Sequence, residues 1–376
     1  MITRTKQKKL KIMIIAGEIS GDIHGALLMQ QIKKLYNNVE FIGIGGENMI
    51  ESGLTSIIDI SEIAVVGFVE VLKRGTLFTK LLRKCKEMLL KEAVDCFIPI
   101  DYPGFNIKVA KYARGIEIPV YYYIAPQLWA WGKNRWKKLK KAVTKLLVVF
   151  PFEEVFFNKH NIPAKFVGHP LLDNELFHNP IKTIDERENV IAFFPGSRKQ
   201  EIRKNLELFA TTAVLLDKKL NNFTYEFAVA NNLSDYDFEL LKYYNFKYKL
   251  NRDSKKLMSY AKIGIVKTGT TTLEASLLGM NMIMAYKTSF THYLLGKCLI
   301  NLDFISLPNI LLNKEVIPEF IQNKVTPKIL EKNVLELLNN KNQCLIQQKY
   351  FAEIKNILGY SGASFNAANI ILNDII

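Results

Sequence analysis

Short apolar runs alternate with stretches of helical periodicity along the whole chain. In the first half, the apolar runs occupy residues 12–16, 39–44, 96–100, 120–124, 146–150 and 165–167. In the second half, they occupy residues 190–194, 225–230, 263–267 and 282–285. Gly-containing turns and helical patterns follow these runs, which is typical of βα units and of parallel sheets. The pattern predicts an α/β fold built from two Rossmann-like domains.

The break between the two domains is predicted at residues 169–180, which contain Pro170 and Pro180 and lose the periodicity. A chain of 376 residues has room for two domains of ordinary size, at roughly 150 residues each. We therefore expect one domain over residues 1–170 and a second over residues 181–349.

The composition excludes a disordered chain, because hydrophobic residues make up 49% of the sequence and charged residues 23%. Lys and Arg number 51 against 36 Asp and Glu, which gives a formal net charge of +15. This excess predicts an anionic partner such as phosphate or acidic lipid, although a general Lys bias of the composition is the alternative explanation.

The cysteines and the amino-terminal residues indicate which kinds of protein this sequence does not resemble. Cys85, Cys96, Cys298 and Cys344 lie far apart, without the spacing of a zinc site or a disulfide framework. The apolar run at residues 11–15 is too short for a signal peptide, and no run reaches the roughly 18 residues of a spanning helix. We therefore expect a cytosolic protein, free or bound to a membrane surface.

Ligands of doubly wound sheets bind where the strands end, so the loops after the strands form the candidate site. Residues 17–22 (GEISGD) follow the first strand; their two glycines let the backbone approach a ligand, and Ser20 or Asp22 is placed to cap a helix starting near His24. The loop lacks the G-x-G-x-x-G pattern, so a nicotinamide dinucleotide is not favoured. Asp101 ends another strand and precedes a Pro-Gly turn. A carboxylate fixed in this position is placed like a general base, and a helix cap is the alternative role.

A first phosphate cradle is predicted early in the second half. Gly196, Ser197 and Arg198 precede a helix expected to begin near Glu201. Backbone N–H groups at such a helix start, together with a guanidinium, bind phosphate well.

A second cradle is predicted at residues 268–274 (TGTTTLE), which place a glycine and four threonines ahead of a helix expected over residues 273–278. Two cradles in one domain indicate a nucleoside-diphosphate ligand, with Glu274 placed to bind a ribose or to face the helix dipole. No acidic pair with metal-ligand spacing lies beside them. We therefore expect no metal and no cofactor, with Arg198 and backbone dipoles neutralising the diphosphate.

Eight segments together resemble lipid-A-disaccharide synthase, in order and spacing, over nearly the whole chain. They are AGEISGD (16–22), IDYPGFN (100–106), PQLWAW (126–131), FPFE (150–153), VGHP (167–170), PGSR (195–198), TGTTTLE (268–274) and SLPN (306–309). The resemblance implies a GT-B glycosyltransferase: two Rossmann-like domains, a cleft between them, and a C-terminal helix within residues 350–376 that packs back on the first domain. The first domain would face acceptor and membrane, and the second would bind the UDP-sugar.

The resemblance also implies the reaction. UDP-2,3-diacylglucosamine would be condensed with 2,3-diacylglucosamine 1-phosphate, with inversion and without a metal. The products would be the β-1′,6-linked lipid A disaccharide 1-phosphate and UDP.

The resemblance assigns roles to individual residues as well. Asp101 matches the general base of the family. The substrate and UDP side is implied to comprise Gly196, Ser197, Arg198, Thr268, Gly269, Thr270, Thr271, Glu274 and Asn309. The acceptor side is implied to comprise Gly17, Glu18, Ser20, Gly21, Asp22 and His24. Members of the family often carry a second acid where this chain has Gly104, so Asp101 is expected to act alone or with His24.

Acylated substrates predict a membrane contact. Apolar residues at helical spacing between Lys73 and Lys91 alternate with basic ones, which is typical of a helix in the interface of an anionic bilayer or of an amphipathic helix docked on its own sheet. Residues 63–69 are the candidate acyl-chain contact, and residues 133–145 form a second basic run. We expect a peripheral protein on the cytoplasmic face of the inner membrane, and a homodimer is left open.

Two other functions fit parts of the sequence. A GT-B enzyme of the epimerase type would share the cradles and Glu274, but it would not need the basic helix. A nucleic-acid binder would explain the charge and the nearby Trp129, Trp131 and Trp136, yet the sequence contains no RNA- or DNA-binding module. We therefore expect no nucleic-acid partner.

Overall fold

The computed structural model describes residues 8–58, 75–129, 136–287 and 303–376. The candidate acyl contact at residues 63–69 lies outside these ranges, as do Lys73, Trp131 and residues 133–135 of the second basic run. The chain divides into two compact units. Unit 1 comprises Met1–Asn174 and Leu358–Ile376, and unit 2 comprises Glu175–Ile357.

Parallel strands form the centre of each unit. In chain order they are β1 (Leu10–Ala16), β2 (Val39–Ile44), β3 (Leu54–Ser56), β4 (Cys96–Ile100), β5 (Tyr121–Tyr123), β6 (Lys145–Val148), β7 (Ala164–Phe166), β8 (Glu188–Phe194), β9 (Thr224–Ala228), β10 (Tyr248–Asn251), β11 (Ala261–Lys267), β12 (Asn281–Tyr286) and β13 (Glu319–Ile321). Within the described ranges, unit 1 has the strand order β3-β2-β1-β4-β5-β6-β7 and unit 2 the order β10-β9-β8-β11-β12-β13. The predicted α/β fold of two Rossmann-like domains is confirmed.

Helices connect the strands. In chain order the α-helices of the described ranges are α1 (Ile19–Leu35), α2 (Glu47–Glu51), α3 (Gly75–Lys91), α4 (Pro103–Gly115), α5 (Trp136–Lys140), α6 (Pro151–Lys159), α7 (Lys199–Asp217), α8 (Ser254–Tyr260), α9 (Thr270–Leu277), α10 (Leu307–Leu312), α11 (Pro327–Asn339), α12 (Lys341–Leu358) and α13 (Ala363–Ile375). Short 3-10 helices lie at Pro170–Asp173, Glu175–His178, Ile184–Glu186, Asp235–Tyr243 and Gln322–Lys324. No helix in these ranges is both long enough and apolar enough to cross a membrane.

The apolar runs became strands because central parallel strands are covered on both faces. β1 is buried along almost its whole length, and the runs predicted around β2, β4 and β6 lie in the same sheet. The pattern missed three edge or near-edge strands, β3, β10 and β13. β3 and β13 are only three residues long, and β10 is largely half-exposed, so none of them has a continuous apolar run.

The C-terminal helix α13 belongs to unit 1 and packs on α1. The Asp173 carboxylate accepts hydrogen bonds from the backbone N–H groups of Gly362 (2.6 Å), Ala363 (3.0 Å) and Ser364 (3.2 Å). A carboxylate at this position accepts hydrogen bonds from the free N–H groups of the first helical turn and interacts favourably with the positive end of the helix dipole. The predicted return of the C-terminal helix to the first domain is confirmed, and the return begins at Leu358.

The helix predicted for the bilayer interface, α3, turns its apolar side inward. Leu81, Cys85 and Leu89 are buried in the core of unit 1. The exposed side carries Lys80, Arg83, Lys84 and Lys91. The apolar stripe therefore packs in the protein's own core, which was the alternative for this helix. Among the described side chains of α3, the exposed ones are mainly basic, together with Leu90.

Candidate active site

Asp101 follows β4 in a turn of left-handed backbone. Its φ is 44° and that of Tyr102 is 48°, a region that non-glycine residues rarely occupy and that costs free energy. The N-cap residue of α4 is Tyr102, and Pro103 opens the helix. The helix-cap alternative for Asp101 is therefore wrong.

Buried polar side chains hold this turn in place. The Asn106 amide donates hydrogen bonds to the carbonyl oxygens of Ile100 (3.0 Å) and Asp101 (2.7 Å). The Tyr122 hydroxyl donates to the same Asp101 carbonyl over 2.6 Å. Asn106 and Tyr122 are both fully buried, where hydrogen bonds to backbone are costly to lose. The unusual backbone at Asp101 is thus held by its surroundings, as is common at functional sites.

The pKa of the Asp101 carboxyl is raised toward neutral pH. Burial raises its pKa to about 6, the negative charge of Glu18 adds to the rise, and a hydrogen bond from the Tyr102 backbone opposes it. A general base works best when its pKa lies near the working pH. The environment of Asp101 therefore suits the role predicted for it.

The loop after β1 packs directly against the Asp101 turn. β1 and β4 are adjacent parallel strands, with Ala16 opposite Ile100. A Cβ atom on Gly17 would lie 2.3 Å from Cγ of the Tyr102 ring, so only glycine permits this approach. The structure thus brings Gly17, Glu18 and Asp101 together, as the sequence predicted from the strand ends.

The first helix begins earlier than expected. α1 starts at Ile19 and its N-cap is Glu18, with no side-chain cap, so the prediction that Ser20 or Asp22 caps this helix is wrong. Ser20 is exposed in the first turn, whereas Gly21 is buried and would place a Cβ atom 3.3 Å from that of Ala16.

Asp22 has a different structural task from the one predicted. Asp22 is only 4% exposed, and its carboxylate accepts hydrogen bonds from the backbone N–H groups of Gly46 (2.8 Å), Asn48 (3.1 Å) and Met49 (3.1 Å). The Asn48 side chain adds a fourth bond of 2.7 Å. Asp22 therefore fixes the start of α2, and its oxygens are already paired within the protein.

His24 is half-buried on α1, and its electrostatic effect falls on a second histidine. Burial lowers the pKa of His169 to about 3, and the charge of His24 lowers it further. Nδ1 of His169 accepts a hydrogen bond from the Leu171 backbone over 3.2 Å. The effects on the Asp101 pKa come from burial, Glu18 and Tyr102. Whether Asp101 acts alone or with His24 stays open, as in the prediction.

Glu153 is a functional candidate for which the sequence predicts no role beyond its place in the FPFE segment. It is 1% exposed and accepts a hydrogen bond from Trp129 Nε1 over 2.8 Å. Burial raises its pKa to about 7; its hydrogen bonds from Trp129 and from the backbone of Phe150 and Val149 oppose this rise, and the Asp101 charge adds to it. Glu153 therefore holds the Trp129 indole and belongs to the electrostatic surroundings of Asp101.

The first predicted cradle lies between β8 and α7 of unit 2. Gly196 has φ 127°, Ser197 and Arg198 are exposed, and Arg198 is the N-cap residue of α7. The Asn205 amide donates to the Pro195 carbonyl over 2.8 Å and fixes the start of the loop. The helix begins at Lys199, slightly before the predicted Glu201, and the Arg198 side chain does not cap it.

The second predicted cradle lies between β11 and α9. Gly269 has φ 134° and is the N-cap residue of α9, which begins at Thr270, three residues before the predicted start. The Thr268 hydroxyl donates to the Ile305 carbonyl (2.9 Å) and the Thr272 hydroxyl to the Gly269 carbonyl (2.8 Å). Of the four threonines, Thr270 is exposed and Thr271 half-buried, so these two present their hydroxyls most openly.

Glu274 lies half-buried on α9. Burial raises its pKa, and the Lys255 charge opposes the rise. A desolvated carboxylate of this kind accepts hydrogen bonds strongly, as binding of ribose hydroxyls requires.

Lys267, for which the sequence predicts no role, connects the two cradles. Lys267 is the last residue of β11, and its Nζ lies 3.0 Å from Oε1 of Glu201 on α7. The other Glu201 oxygen accepts the Ser197 backbone N–H over 3.0 Å. β8 and β11 are neighbouring parallel strands, so both cradles lie at the carboxyl ends of the strands.

Asn309 does not have the geometry of a direct nucleotide contact. It is fully buried; its amide donates to the Ile317 carbonyl (2.9 Å) and to Glu319 (2.9 Å), and its oxygen accepts from the backbone of Val316 (2.7 Å). The side chain is already paired at both ends. Asn309 shapes the segment after α10, and its place in the nucleotide cleft stays a prediction.

In the described part of the chain, no three His, Cys, Asp or Glu side chains lie together as metal ligands would.

Comparison with known proteins gives a consistent result. The family model described as lipid-A-disaccharide synthetase matches residues 12–369. Proteins named lipid-A-disaccharide synthase from Trichlorobacter lovleyi and Coxiella burnetii are 34% and 35% identical over 371 and 370 residues. These matches cover 96% of this chain, and 97% and 98% of the relatives.

Solved structures of low sequence identity share the fold. The S. aureus MnaA–UDP co-structure has a TM-score of 0.67 at 12% identity and covers 98% of both chains. The UDP-GlcNAc 2-epimerase from Neisseria meningitidis bound to UDP-GlcNAc has a TM-score of 0.62 at 12% identity, covering 97% of this chain and 99% of that chain.

Proposed function

The chain belongs to the lipid-A-disaccharide synthetase family, and from that premise we propose how its residues carry out the reaction. The protein is a glycosyltransferase that makes the lipid A disaccharide from a UDP-sugar and a lipid A precursor. We propose that the donor is UDP-2,3-diacylglucosamine and the acceptor 2,3-diacylglucosamine 1-phosphate. Unit 2 binds the donor in this proposal, and unit 1 binds the acceptor and faces the membrane.

The observation that carries the mechanism is the Asp101 carboxyl, which is held by a strained, hydrogen-bonded turn and has its pKa raised to about 6. The primary hydroxyl of the acceptor is a weak nucleophile. Asp101 accepts its proton as the hydroxyl oxygen bonds to the anomeric carbon of the donor. The bond from that carbon to the UDP oxygen breaks on the opposite face, so the configuration inverts, and UDP leaves with the electron pair.

Charge builds on the leaving diphosphate during this step. In our proposal the backbone N–H groups at the starts of α7 and α9, with the Arg198 side chain, bind the diphosphate there. Gly196, Ser197, Thr268, Gly269, Thr270 and Thr271 shape these two loops. Glu274 accepts the hydroxyl groups of the ribose.

The acceptor side is formed by the loop after β1. Gly17 allows the close approach to Tyr102, and Glu18 tunes Asp101. Ser20, exposed in the first turn of α1, contacts the acceptor headgroup, while Gly21 and Asp22 support this turn from below. His24 lines the far end of the loop.

The test is UDP release from UDP-2,3-diacylglucosamine by the purified protein, with and without 2,3-diacylglucosamine 1-phosphate, in the presence of a metal chelator. We expect release that requires the acceptor and survives the chelator. Release without the acceptor would indicate a hydrolase or an epimerase, and loss of activity with the chelator would contradict the metal-free mechanism.

We propose further that the protein works at the cytoplasmic face of the inner membrane. Its substrates carry acyl chains, and exposed basic residues of α3 and α5, among them Lys80 and Lys138, face solvent. Each such charge near an anionic surface contributes about 1 kcal/mol. Sedimentation with vesicles of anionic phospholipid tests this, with zwitterionic vesicles and duplex DNA as comparisons. Binding to DNA instead of vesicles would contradict the proposal.

Analytical ultracentrifugation of the same preparation decides whether the protein is a homodimer.

A further inference from the structure

The ion pair of Lys267 and Glu201 lies between the two loops proposed to bind the diphosphate. Lys267 precedes Thr268 and Gly269 directly, and Glu201 lies in the first turn of α7. Each side chain is only 20% exposed. The Lys267 ammonium also lies 5.9 Å from the ring centre of Tyr286, the last residue of the adjacent strand β12.

Glu201 fixes two elements with one carboxylate. Oε1 pairs with Lys267, and Oε2 accepts the Ser197 N–H. Gly196 is adapted to this arrangement, because a Cβ atom there would lie 2.4 Å from Oε2. Burial raises the pKa of Glu201, but the charge of Lys267 and these hydrogen bonds lower it overall, so the carboxylate stays ionised and the pair stays charged.

A lysine ammonium has three N–H donors, and Glu201 takes one of them. Lys267 lies at the carboxyl end of a strand, between two helix starts. Anionic ligands bind at such positions, where the ammonium and the helix dipoles both attract negative charge.

We propose that Lys267 binds the diphosphate of the UDP-sugar with its remaining donors, while Glu201 holds the ammonium in place between the two loops. This inference rests on the proposed function and adds a third source of positive charge to Arg198 and the helix starts. Lys267 is the binding residue, and Glu201 is a positioning residue that acts through it.

The test compares the affinities for UDP and for uridine, measured by isothermal titration calorimetry on the full chain. Lys267→Gln is expected to weaken UDP binding about 10- to 100-fold, the loss of a charge-assisted hydrogen bond, and to leave uridine binding unchanged. Lys262→Gln is the matched control, because Lys262 lies on the same strand and its Nζ bonds to Asn189. This control is expected to bind UDP like the unmodified protein.

Two outcomes overturn the role of Lys267. One is unchanged UDP binding by the Lys267→Gln protein while the unmodified protein binds UDP; the other is an equal loss for UDP and uridine, which would indicate a structural effect. Lys267→Arg keeps the charge and provides a second variant, expected to retain preference for UDP over uridine. If the unmodified protein bound no UDP, the proposed function itself would fail, and this inference with it.

Glu201→Gln separates positioning from simple charge. Removal of a negative charge near a diphosphate would by itself strengthen UDP binding. If Glu201 positions Lys267 and the Ser197 loop, the variant binds UDP more weakly and uridine equally well. Unchanged or stronger UDP binding would remove Glu201 from the positioning role.

Discussion

The side-chain amide of Asn106 donates a 2.7 Å hydrogen bond to the Asp101 carbonyl, and an equivalent bond occurs in the other unit. There the Asn205 amide donates to the Pro195 carbonyl over 2.8 Å. Each asparagine is buried on the helix that follows a central strand and fixes the backbone of the strand-to-helix loop. One therefore supports the proposed base, and the other supports the proposed diphosphate loop.

Because the two asparagines support different loops, their alanine variants should lose different properties, turnover in one case and UDP binding in the other. Asn106→Ala is expected to lower turnover about tenfold or more and to keep UDP binding, whereas Asn205→Ala should weaken UDP binding by a similar factor. Turnover measurements and calorimetry with UDP on both proteins check this. Two variants with the same defect would contradict the division of roles, and thermal melting shows whether either has merely unfolded.

Asp101→Asn keeps the size of the side chain and removes the proton acceptor. General base catalysis typically contributes about 10²–10⁴-fold, so turnover should fall by this factor while UDP affinity stays the same. Acceptor-dependent UDP release and calorimetry measure the two quantities. Near-normal turnover would exclude Asp101 as the base.

Activity should depend on pH through the raised pKa of Asp101. The base must be ionised, and its pKa is about 6, so kcat/KM should fall as the pH is lowered through about 6. Glu18→Gln removes a negative neighbour, which makes ionisation of Asp101 easier and lowers its pKa. The acidic limb of the pH profile should therefore move to lower pH in this variant. A limb that stays in place would show that Glu18 does not tune the base.

Two glycines beside Asp101 form a matched pair. A Cβ atom on Gly17 would lie 2.3 Å from the Tyr102 ring, whereas one on Gly104 meets nothing within 4 Å. Gly17→Ala should displace Tyr102 and the Asp101 turn and lower turnover strongly, and Gly104→Ala should leave turnover unchanged. Steady-state kinetics of the two proteins decide this; comparable activities would show that the close approach at Gly17 is unimportant.

The sequence predicted much of the architecture, because the information needed is local. Apolar runs covered on both faces produce the strands, and glycines at 17, 196 and 269 mark the loops where backbone comes close or has positive φ. A turn after β4 was predictable from Pro103 and Gly104, but these two residues open α4, and the turn itself lies at Asp101 and Tyr102. Helix starts were less accurate, since α1 and α9 begin several residues before their predicted positions.

The assignment of polar partners was decided by the tertiary structure alone. Glu201 and Lys267 are 66 residues apart in sequence, and they meet only because β8 and β11 are neighbours in the sheet. Asp22 proved to cap α2, and Asn309 proved to be paired at both ends.

The sequence by itself determined that this is a two-domain α/β protein with a carboxylate after one strand and two glycine-containing loops that precede helices. Only the tertiary structure decided which charges act on one another: Glu18 on Asp101, and Glu201 on Lys267. It also decided that the apolar side of α3 is buried against the protein itself. The physical reason is that periodicity records whether a position is covered, whereas strand order and register determine what covers it.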